Sequence, residues 1–198
     1  MNIAIIGAGS VGGTLGRRFL ACGHSVRYGV RDRAKYPDLD AGTPSEVTET
    51  AEVVVLATPW ETTEAAIAQA GDLSGKVVVD ATNPIASDFS GLIPGPSAGE
   101  QIAGWAKGAR VVKAFNTIGY NVMASPGFSE GPATLLVAGD DSEAKAVVHR
   151  LASEIGFDPI DAGPLAMSGY LEALAWIWIT LAVKQGLGRD IAFRLVRR

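Results

Sequence analysis

Short apolar runs separated by segments with helical spacing recur through the first 115 residues. Five of these runs predict buried strands, at residues 3–6, 25–29, 53–57, 76–80 and 110–115. Strands that alternate with helices at this spacing indicate βαβ units and a parallel sheet. The loops that leave such strands collect at one edge of the sheet, which is where ligands bind in doubly wound folds.

Helix start signals follow two of the predicted strands. Thr43-Pro44-Ser45-Glu46 places Thr at the N-cap, Pro at the first helical position and Glu three residues after the cap, which predicts a capping box. The segment 58–61 repeats this signal and predicts a helix that runs to Gly71. A further helix is predicted around residues 98–107, after a loop at 87–99 that is rich in Gly, Pro and Ser.

The pattern changes after residue 120. A strand at 134–138, a helix at 142–155 and a short strand at 157–161 are predicted, and Pro159 favours an edge position for that last strand. A long apolar helix follows from about residue 167 to 184. We therefore expect a dinucleotide-binding domain at 1–120 and a small C-terminal α/β extension at 121–198, which adds a sheet edge and helices.

A glycine-rich turn joins the first strand to the first helix. Gly7-Ala8-Gly9-Ser10-Val11-Gly12 has the spacing G-x-G-x-x-G, and Leu15 and Phe19 continue from Val11 at helical spacing. In this motif the first glycine makes the turn, the second lets the backbone approach a pyrophosphate, and the third lets helix and strand pack closely. The helix N-terminus then offers free N–H groups to the phosphates. The sequence therefore predicts a Rossmann fold, doubly wound around a mostly parallel sheet, with a bound dinucleotide.

The end of the second strand bears on the choice between NAD and NADP. Gly29 stands where NAD enzymes usually carry an acid for the ribose 2′-hydroxyl, and Arg31, Arg33 and Lys35 follow it. Cations at this point suit a 2′-phosphate, and Arg can bind it with two parallel bonds. NADP is favoured. Two alternatives stay open: a solvated loop held by Asp32, or Asp32 itself as the ribose acid.

Composition and charge narrow the class of protein. A net charge of −4 gives no support for nucleic-acid binding, and the basic pair at residues 197–198 is interpreted as a solvated end. A single cysteine excludes an internal disulfide and suits the cytoplasm. Met1 leads directly into the first strand, so no signal peptide is expected. The apolar run 171–183 contains Glu172 and is expected to be too short to span a membrane.

Few residues offer acid–base chemistry. His24 and His149 are expected to have surface or packing roles, and Lys113 a structural role at a strand end. We therefore assign no catalytic residue, and no His, Cys and carboxylate cluster has the spacing of a metal site. Trp60 could line the cofactor site or belong to the core of its helix. Hydride transfer between two rings needs no proton donor, because the cofactors supply the reactivity.

Seven segments occur together and in order, and the set resembles the NADPH-dependent reductases of the deazaflavin coenzyme F420. The resemblance covers nearly the whole chain and implies a Rossmann domain with a small extension through which two copies pair. The segments are Gly7–Gly12, Gly29-Val-Arg31, Pro59-Trp60, Asp80-Ala-Thr-Asn-Pro84, Val112-Lys-Ala-Phe-Asn-Thr-Ile118, Gly139-Asp-Asp141 and Asp161-Ala-Gly-Pro-Leu165.

The resemblance implies a set of cofactor-binding positions. Residues 8–11 match the pyrophosphate loop, and Arg31 and Lys35 match the contacts to the 2′-phosphate. The family commonly has Ser where this chain has Val30, which removes one hydroxyl from that site. The full predicted set is Gly7, Ala8, Gly9, Ser10, Val11, Gly12, Val30, Arg31, Lys35, Thr58, Pro59, Asn83 and Pro84. In similar proteins Pro59, Asn83 and Pro84 lie in loops that flank the nicotinamide.

Two functions are carried forward. The first is hydride transfer between NADPH and a deazaflavin (coenzyme F420) or flavin acceptor, with residues 91–99 and 115–117 as candidate acceptor contacts. The second is a dinucleotide-sensing module without turnover, in which cofactor binding biases a dimer interface formed by the apolar helix at 171–183. Reduction of a small carbonyl is disfavoured, because no proton donor stands out. A cytoplasmic homodimer with a small-molecule acceptor is expected.

Overall fold

The computed structural model describes the whole chain, Met1–Arg198, and arranges it around one eight-stranded sheet. The strands are β1 Asn2–Ile6, β2 Ser25–Gly29, β3 Ala41–Gly42, β4 Val53–Leu56, β5 Val77–Asp80, β6 Arg110–Lys113, β7 Gly127–Phe128, β8 Gly131–Pro132, β9 Thr134–Gly139 and β10 Asp158–Gly163. The helices are α1 Ser10–Ala21, α2 Pro44–Thr48, α3 Trp60–Gln69, α4 Ala98–Trp105, α5 Tyr120–Ala124, α6 Ser142–Glu154 and α7 Ser168–Ile179.

The sheet has the strand order β10-β9-β6-β5-β4-β1-β2-β3. Every neighbouring pair is parallel except β6 and β9, which run antiparallel. Strands β7 and β8 form a separate two-stranded hairpin. The order reverses direction at β1, which is the switch point of a doubly wound fold. The predicted Rossmann architecture with a mostly parallel sheet is therefore confirmed.

Helices cover both faces of the sheet, which is why the central residues of the inner strands are apolar on both faces. Ile3 and Ile5 of β1 belong to a cluster of 28 buried residues that includes side chains of α1, α5 and α6. Ala4 and Ile6 belong to a second cluster of 14 residues on the face covered by α3 and α4. The uninterrupted apolar runs in the sequence follow from this burial on both faces.

The C-terminal extension continues the same sheet. β9 joins the edge of β6 with reversed direction, and β10 pairs in parallel with β9 as the outermost strand. Pro159 lies in this outer strand, where the missing N–H disturbs no central ladder. The edge position predicted from Pro159 is thus confirmed. The division at residues 120 and 121 falls at the start of α5 and stays a prediction.

The apolar C-terminal helix is longer than the sequence run suggested. Its helical stretch is continuous over Leu165–Lys184, which is 20 residues with a mean hydropathy of 1.4. The expectation that it is too short to span a membrane is therefore wrong on length and composition alone. Core helices of soluble proteins pass the same test, and here Leu171, Glu172, Ala175 and Trp178 are buried against the domain.

One predicted helix start is wrong, whereas those of α2 and α4 are confirmed. The capping box of α2 is confirmed: the Thr43 hydroxyl accepts from Glu46 N, and the Glu46 carboxylate accepts from Thr43 N. The capping box predicted at residue 58 is wrong, because α3 begins after Pro59 and the Thr58 hydroxyl bonds that of Thr63. The predicted loop 87–99 ends two residues early, because α4 begins at Ala98 with a capping box of its own.

Candidate dinucleotide site

A cavity of about 760 Å³ lies at the carboxyl ends of β1, β2 and β4. Its walls come from the glycine turn, from the turn after β2 and from the start of α3. Eight of the thirteen predicted cofactor-binding residues line it: Gly7, Ala8, Gly9, Val30, Arg31, Lys35, Thr58 and Pro59. The turn after β1 and the turn after β2 therefore face one common space.

The glycines of the first turn differ in what surrounds them. Gly7 has a φ of +101°, and a Cβ built there would lie 2.7 Å from the carbonyl oxygen of Ala57. A Cβ on Gly12 would overlap the carbonyl oxygen of Gly7. Gly9, in contrast, has no neighbouring atom within 4 Å of such a Cβ, and it lines the cavity. Gly7 and Gly12 are thus required by the fold, whereas Gly9 leaves space for a ligand.

The N-terminus of α1 has no side-chain cap. Gly9 is its N-cap residue, and the first turn carries no acidic side chain. Helices α2, α4 and α6 are instead capped by Thr43, Ser97 and Asp141. The free N–H groups at the start of α1 can therefore bind an anion such as a pyrophosphate. Ser10, Val11 and Gly12 form this first turn of α1 rather than the cavity wall.

The end of β2 has no room for the ribose acid of NAD enzymes. A Cβ on Gly29 would lie 2.6 Å from Cδ1 of Ile6 and 3.1 Å from Cα of Pro44. Any side chain at this position would collide with the strand and helix beside it. The absence of an acid at residue 29 is thus also a packing requirement.

The alternative acid, Asp32, bonds within its own turn. Its Oδ1 accepts from Ala34 N at 3.1 Å, and its Oδ2 lies 4.0 Å from the Lys35 Nζ. Arg31 and Lys35 are both exposed at the cavity, whereas Val30 is buried in its wall. The cationic side chains are therefore free to meet a phosphate, while one Asp32 oxygen is already bonded.

The remaining two predicted residues, Asn83 and Pro84, lie in the loop after β5. Asn83 Nδ2 donates to the carbonyl oxygen of Asn116 at 2.9 Å, and Asn116 Nδ2 donates to Asn83 Oδ1 at 3.0 Å. The loops after β5 and β6 are thus bonded to each other. The Oδ1 of Asn116 is buried and has no hydrogen-bond partner. None of the residues Asn83, Pro84 and Asn116 lines the cavity of about 760 Å³.

Phe115 does not line the site. Strand β6 ends at Lys113, two residues earlier than predicted, and Phe115 takes a φ of +66°. Its ring is buried and packs edge-on against Phe19 and Phe157, with ring centroids 6.4 and 6.2 Å apart. A left-handed φ in an aromatic residue is strained by about 1–2 kcal/mol. The turn thereby sends the ring into the core, and the next residue, Asn116, bonds Asn83 in the loop after β5.

Trp60 lies outside the cavity. Its ring packs on that of Trp105 of α4, with centroids 5.4 Å apart. It also contacts the second core cluster, which decides between its two open roles in favour of packing. Of the candidate acceptor loop 91–99, residues Ser97, Ala98 and Gly99 are buried at the start of α4. Only its first part remains accessible, and its acceptor role stays a prediction.

The structure brings together three buried charges that the sequence did not single out as a group. Lys113 Nζ lies 2.8 Å from Asp80 Oδ2 and 2.8 Å from Glu172 Oε1. It also donates to the carbonyl oxygen of Thr82 at 2.8 Å. Burial raises the pKa of Glu172, and the Lys113 ammonium opposes that rise. In the sequence, the signals that could have indicated this cluster are a lysine in an apolar strand and a glutamate in an apolar helix.

The two histidines lie on the α6 side of the molecule. His24 is buried, and its Nε2 is 2.7 Å from Glu154 Oε2. His149 is half-buried, and burial lowers its pKa while the nearby Asp161 carboxylate raises it. The chain has no group of three or more His, Cys, Asp or Glu side chains placed to hold a metal ion.

Comparison with known proteins identifies the family. A family model described as NADP oxidoreductase, coenzyme F420-dependent, matches residues 2–84. A solved structure from Arthrobacter sp. FB24, provisionally named an F420-dependent NADP-reductase, has 32% sequence identity and a TM-score of 0.88 with full coverage of both chains. This chain belongs to the F420-dependent NADP oxidoreductase family. It is therefore one of the NADP-linked oxidoreductases.

Two curated relatives extend the comparison. The F420-dependent NADP reductase of Methanocaldococcus jannaschii is 34% identical over 143 residues, which are 67% of this chain and 63% of that protein. The metalloreductase STEAP3 of Rattus norvegicus is 32% identical over 179 residues, 87% of this chain. The chain spans 36% of the rat protein.

Proposed function

We propose that this protein transfers hydride between NADPH and a deazaflavin, coenzyme F420, or a flavin in the same place. The observation that carries the proposal is the shared cavity, where the uncapped start of α1 and the cations Arg31 and Lys35 face one space. This pair of features fits a dinucleotide with a 2′-phosphate. The acceptor is inferred from the family and from the relative in M. jannaschii.

Each end of the site has its own binding task. The N–H groups at the start of α1 would bind the pyrophosphate, and Arg31 and Lys35 would bind the 2′-phosphate. At the other end, the loops after β5 and β6, which the Asn83–Asn116 hydrogen bonds hold together, would flank the nicotinamide and so fix the orientation of the ring. When bound, NADPH supplies the hydride and the acceptor ring takes it. The protein then has to hold two rings in contact and exclude water.

The acceptor would lie between the loop after β5 and the start of α5. In that loop Ala86 N donates to Gly91 O at 2.9 Å, which presents Phe89 at its tip with 61% of its surface exposed. On the other side Tyr120 is half-buried and lies beneath the guanidinium of Arg189. Exposed aromatic and apolar side chains on both sides suit a planar, largely apolar ring system.

We further propose a cytoplasmic homodimer, with the outer face of the C-terminal helix as the contact. Tyr170, Leu174, Ile177 and Leu181 follow one another at intervals of four, three and four residues, which is the spacing of a packing seam. Tyr170 and Ile177 have 71% and 50% of their surface exposed in the single chain. A second copy of the same helix would cover these apolar side chains.

The acceptor is tested by mixing purified protein with NADPH and following its absorbance in a stopped-flow instrument. Separate arms contain coenzyme F420, flavin mononucleotide, flavin mononucleotide with ferric citrate, and no acceptor. Fast loss of NADPH with F420 or with flavin supports the proposal. The ferric arm is included because one relative is a metalloreductase, and ferric ion takes single electrons and so needs a flavin as intermediate.

The main contrary result is tight NADPH binding with no oxidation in any arm. It would contradict the proposed reaction and favour the sensing module, for which α7 offers a specific observation. Glu172 on this helix bonds Lys113 at the end of β6, next to the proposed nicotinamide loops. A sensing role then requires a cofactor-dependent change in dimerisation, measurable by analytical ultracentrifugation with and without NADPH.

A further inference from the structure

The cluster of Asp80, Lys113 and Glu172 contains two carboxyl groups and one ammonium group. Lys113 and Asp80 have no exposed surface, and Glu172 retains 2%. The Lys113 ammonium has three acceptors, one from each carboxylate and one from the carbonyl of Thr82, so its three donors are all used. Nothing cationic besides Lys113 bonds the two carboxylates.

Both carboxyl groups accept hydrogen bonds from Lys113 and from backbone N–H groups. Asp80 Oδ1 accepts from the N–H of Thr82 at 2.8 Å and from its hydroxyl at 2.7 Å. Glu172 Oε1 accepts from Ala98 N at 2.9 Å, at the positive end of the α4 dipole, and from Lys113. Two carboxylates and one ammonium leave an excess of one negative charge in a dry interior, where charges act more strongly than in water.

The cluster lies beneath the proposed nicotinamide end of the site. Asp80 and Lys113 are the last residues of β5 and β6, and the loops that hold Asn83 and Asn116 follow directly. In a doubly wound fold the second half of a dinucleotide lies over the strands on this side of β1. The oxidised nicotinamide carries a positive charge, and the reduced one is neutral. A negative excess here therefore acts differently on the two forms.

We propose that Glu172 is a positioning residue whose carboxylate, held by Lys113 under the nicotinamide loops, makes the site favour NADP⁺ over NADPH. The inference rests on the proposed function only in needing NADP(H) bound at this sheet edge. A site that favours NADP⁺ makes bound NADPH a stronger hydride donor. The ratio of the two dissociation constants reports this effect, because by linkage it equals the change in the redox equilibrium on binding.

The test measures the dissociation constants of NADP⁺ and NADPH by titration calorimetry for the wild type and for Glu172→Gln. The amide keeps the size of the side chain and an acceptor for Lys113 and Ala98 N, but it removes the charge. We expect NADP⁺ to lose about three- to tenfold more affinity than NADPH, as for one charge acting over roughly 10–15 Å of protein. Glu172→Asp, which keeps the charge, should recover part of the preference for NADP⁺.

The matched control is Glu100→Gln on the first turn of α4. Glu100 is exposed and bonds Ser97, so its replacement removes one carboxylate close to the cluster but in water. It should leave the ratio unchanged. An equal loss of both cofactor forms in Glu172→Gln would overturn the proposal and leave a purely structural role. Failure of the wild type to bind either form would instead overturn the proposed function.

A second measurement needs no variant and covers the case in which Glu172→Gln does not fold. In the wild type, the ratio should shift toward NADPH as the pH is lowered and the Glu172 carboxylate, whose pKa is raised by burial, takes up a proton. The other charged groups on the elements around it are Asp80, Lys113, Glu100 and Asp140, which bonds Leu165 N. The 2′-phosphate titrates equally in both cofactor forms. A ratio independent of pH would overturn the proposal.

Discussion

Asn83 and Asn116 exchange two hydrogen bonds across the gap between the loops after β5 and β6. One of the two side chains also keeps a buried oxygen without a partner, on Asn116. The pair therefore fixes the distance between the two loops. Both loops start from buried charged residues, Asp80 and Lys113, so the base of each loop is anchored in the interior.

Asn116→Ala should affect binding and stability together. It removes one bond of the pair and the free acceptor, and it leaves Asn83 Oδ1 without its donor. We expect the free energy of unfolding to fall by about 1–2 kcal/mol and NADPH to bind roughly tenfold more weakly. Denaturant unfolding and fluorescence titration measure the two effects. Asn121→Ala in α5 is the control, and equal losses in both variants would contradict the role of the pair.

Gly9→Ala and Gly12→Ala should separate binding from folding. The new methyl group at Gly9 meets no protein atom within 4 Å, and the φ of −72° suits alanine, so the melting temperature should be unchanged. The methyl group does enter the space expected for the pyrophosphate, and NADPH affinity should fall by at least about tenfold. At Gly12 the methyl group overlaps the Gly7 carbonyl, which should destabilise the fold by roughly 1–3 kcal/mol. Calorimetry of both variants checks this contrast, and a stable Gly12→Ala would contradict it.

Arg31→Ala should lower affinity for NADPH far more than for NADH. Loss of a charged hydrogen bond to the 2′-phosphate predicts roughly a 10- to 100-fold effect on NADPH alone. Arg33→Ala is the matched control, since Arg33 is an exposed cation in the same turn that does not line the cavity. The dissociation constants of both variants for NADPH and NADH test this prediction. If the two substitutions have equal effects, general charge rather than a phosphate contact is responsible.

Glu154 should make the protein sensitive to acid. The bond from Arg150, followed by that from His24, lowers the pKa of Glu154 in the folded state. The carboxylate therefore contributes stability above its unfolded pKa of about 4.3, and this contribution is lost as the pH falls through the lower folded value. Glu154→Gln should flatten the melting temperature between pH 5 and 3 compared with the wild type. Glu143→Gln, at an exposed position of the same helix, should leave the curve unchanged; parallel curves for all three proteins would refute this.

Ile177→Glu should prevent dimerisation if the outer face of α7 is the contact. Two introduced carboxylates would meet across the interface, which predicts at least about a tenfold rise in the dimer dissociation constant. The control is Leu20→Glu on α1, because Leu20 has 48% of its surface exposed against 50% for Ile177. Sedimentation velocity distinguishes the variants. A dimer that withstands Ile177→Glu must use another surface.

Local sequence signals were sufficient for the scaffold and for one half of the site. Gly7, Gly9 and Gly12 are recognisable because turn geometry depends on adjacent residues, and the cations after β2 lie within six residues of Gly29. The errors and the open alternatives lie where the outcome depends on distant residues. Whether Trp60 faces the cofactor depends on Trp105 of another helix. Whether Phe115 faces the site depends on a backbone φ that only its packing partners stabilise.

The buried charges show most clearly that local sequence signals do not identify distant partners. Glu172 lies 74 residues from Ala98, whose N–H it accepts, and its lysine partner lies on a strand in between. An isolated glutamate in an apolar helix indicates that a partner exists but not which residue it is. Gly29 is a further case, because Ile6 and Pro44 leave no room for a side chain and neither is adjacent in sequence.

The ring of Phe115 packs between the rings of Phe19 and Phe157. This packing determines which of the two loops after β5 and β6 can change conformation. The turn after β6 is anchored in the interior by this ring, and movement there would expose aromatic surface to water. The turn after β5 has no comparable anchor at its tip, where Phe89 projects into solvent. The turn after β5 is therefore the one that can adjust to acceptors of different size. Variation of its length and composition would be the natural way to obtain relatives that share a cofactor but differ in what they reduce.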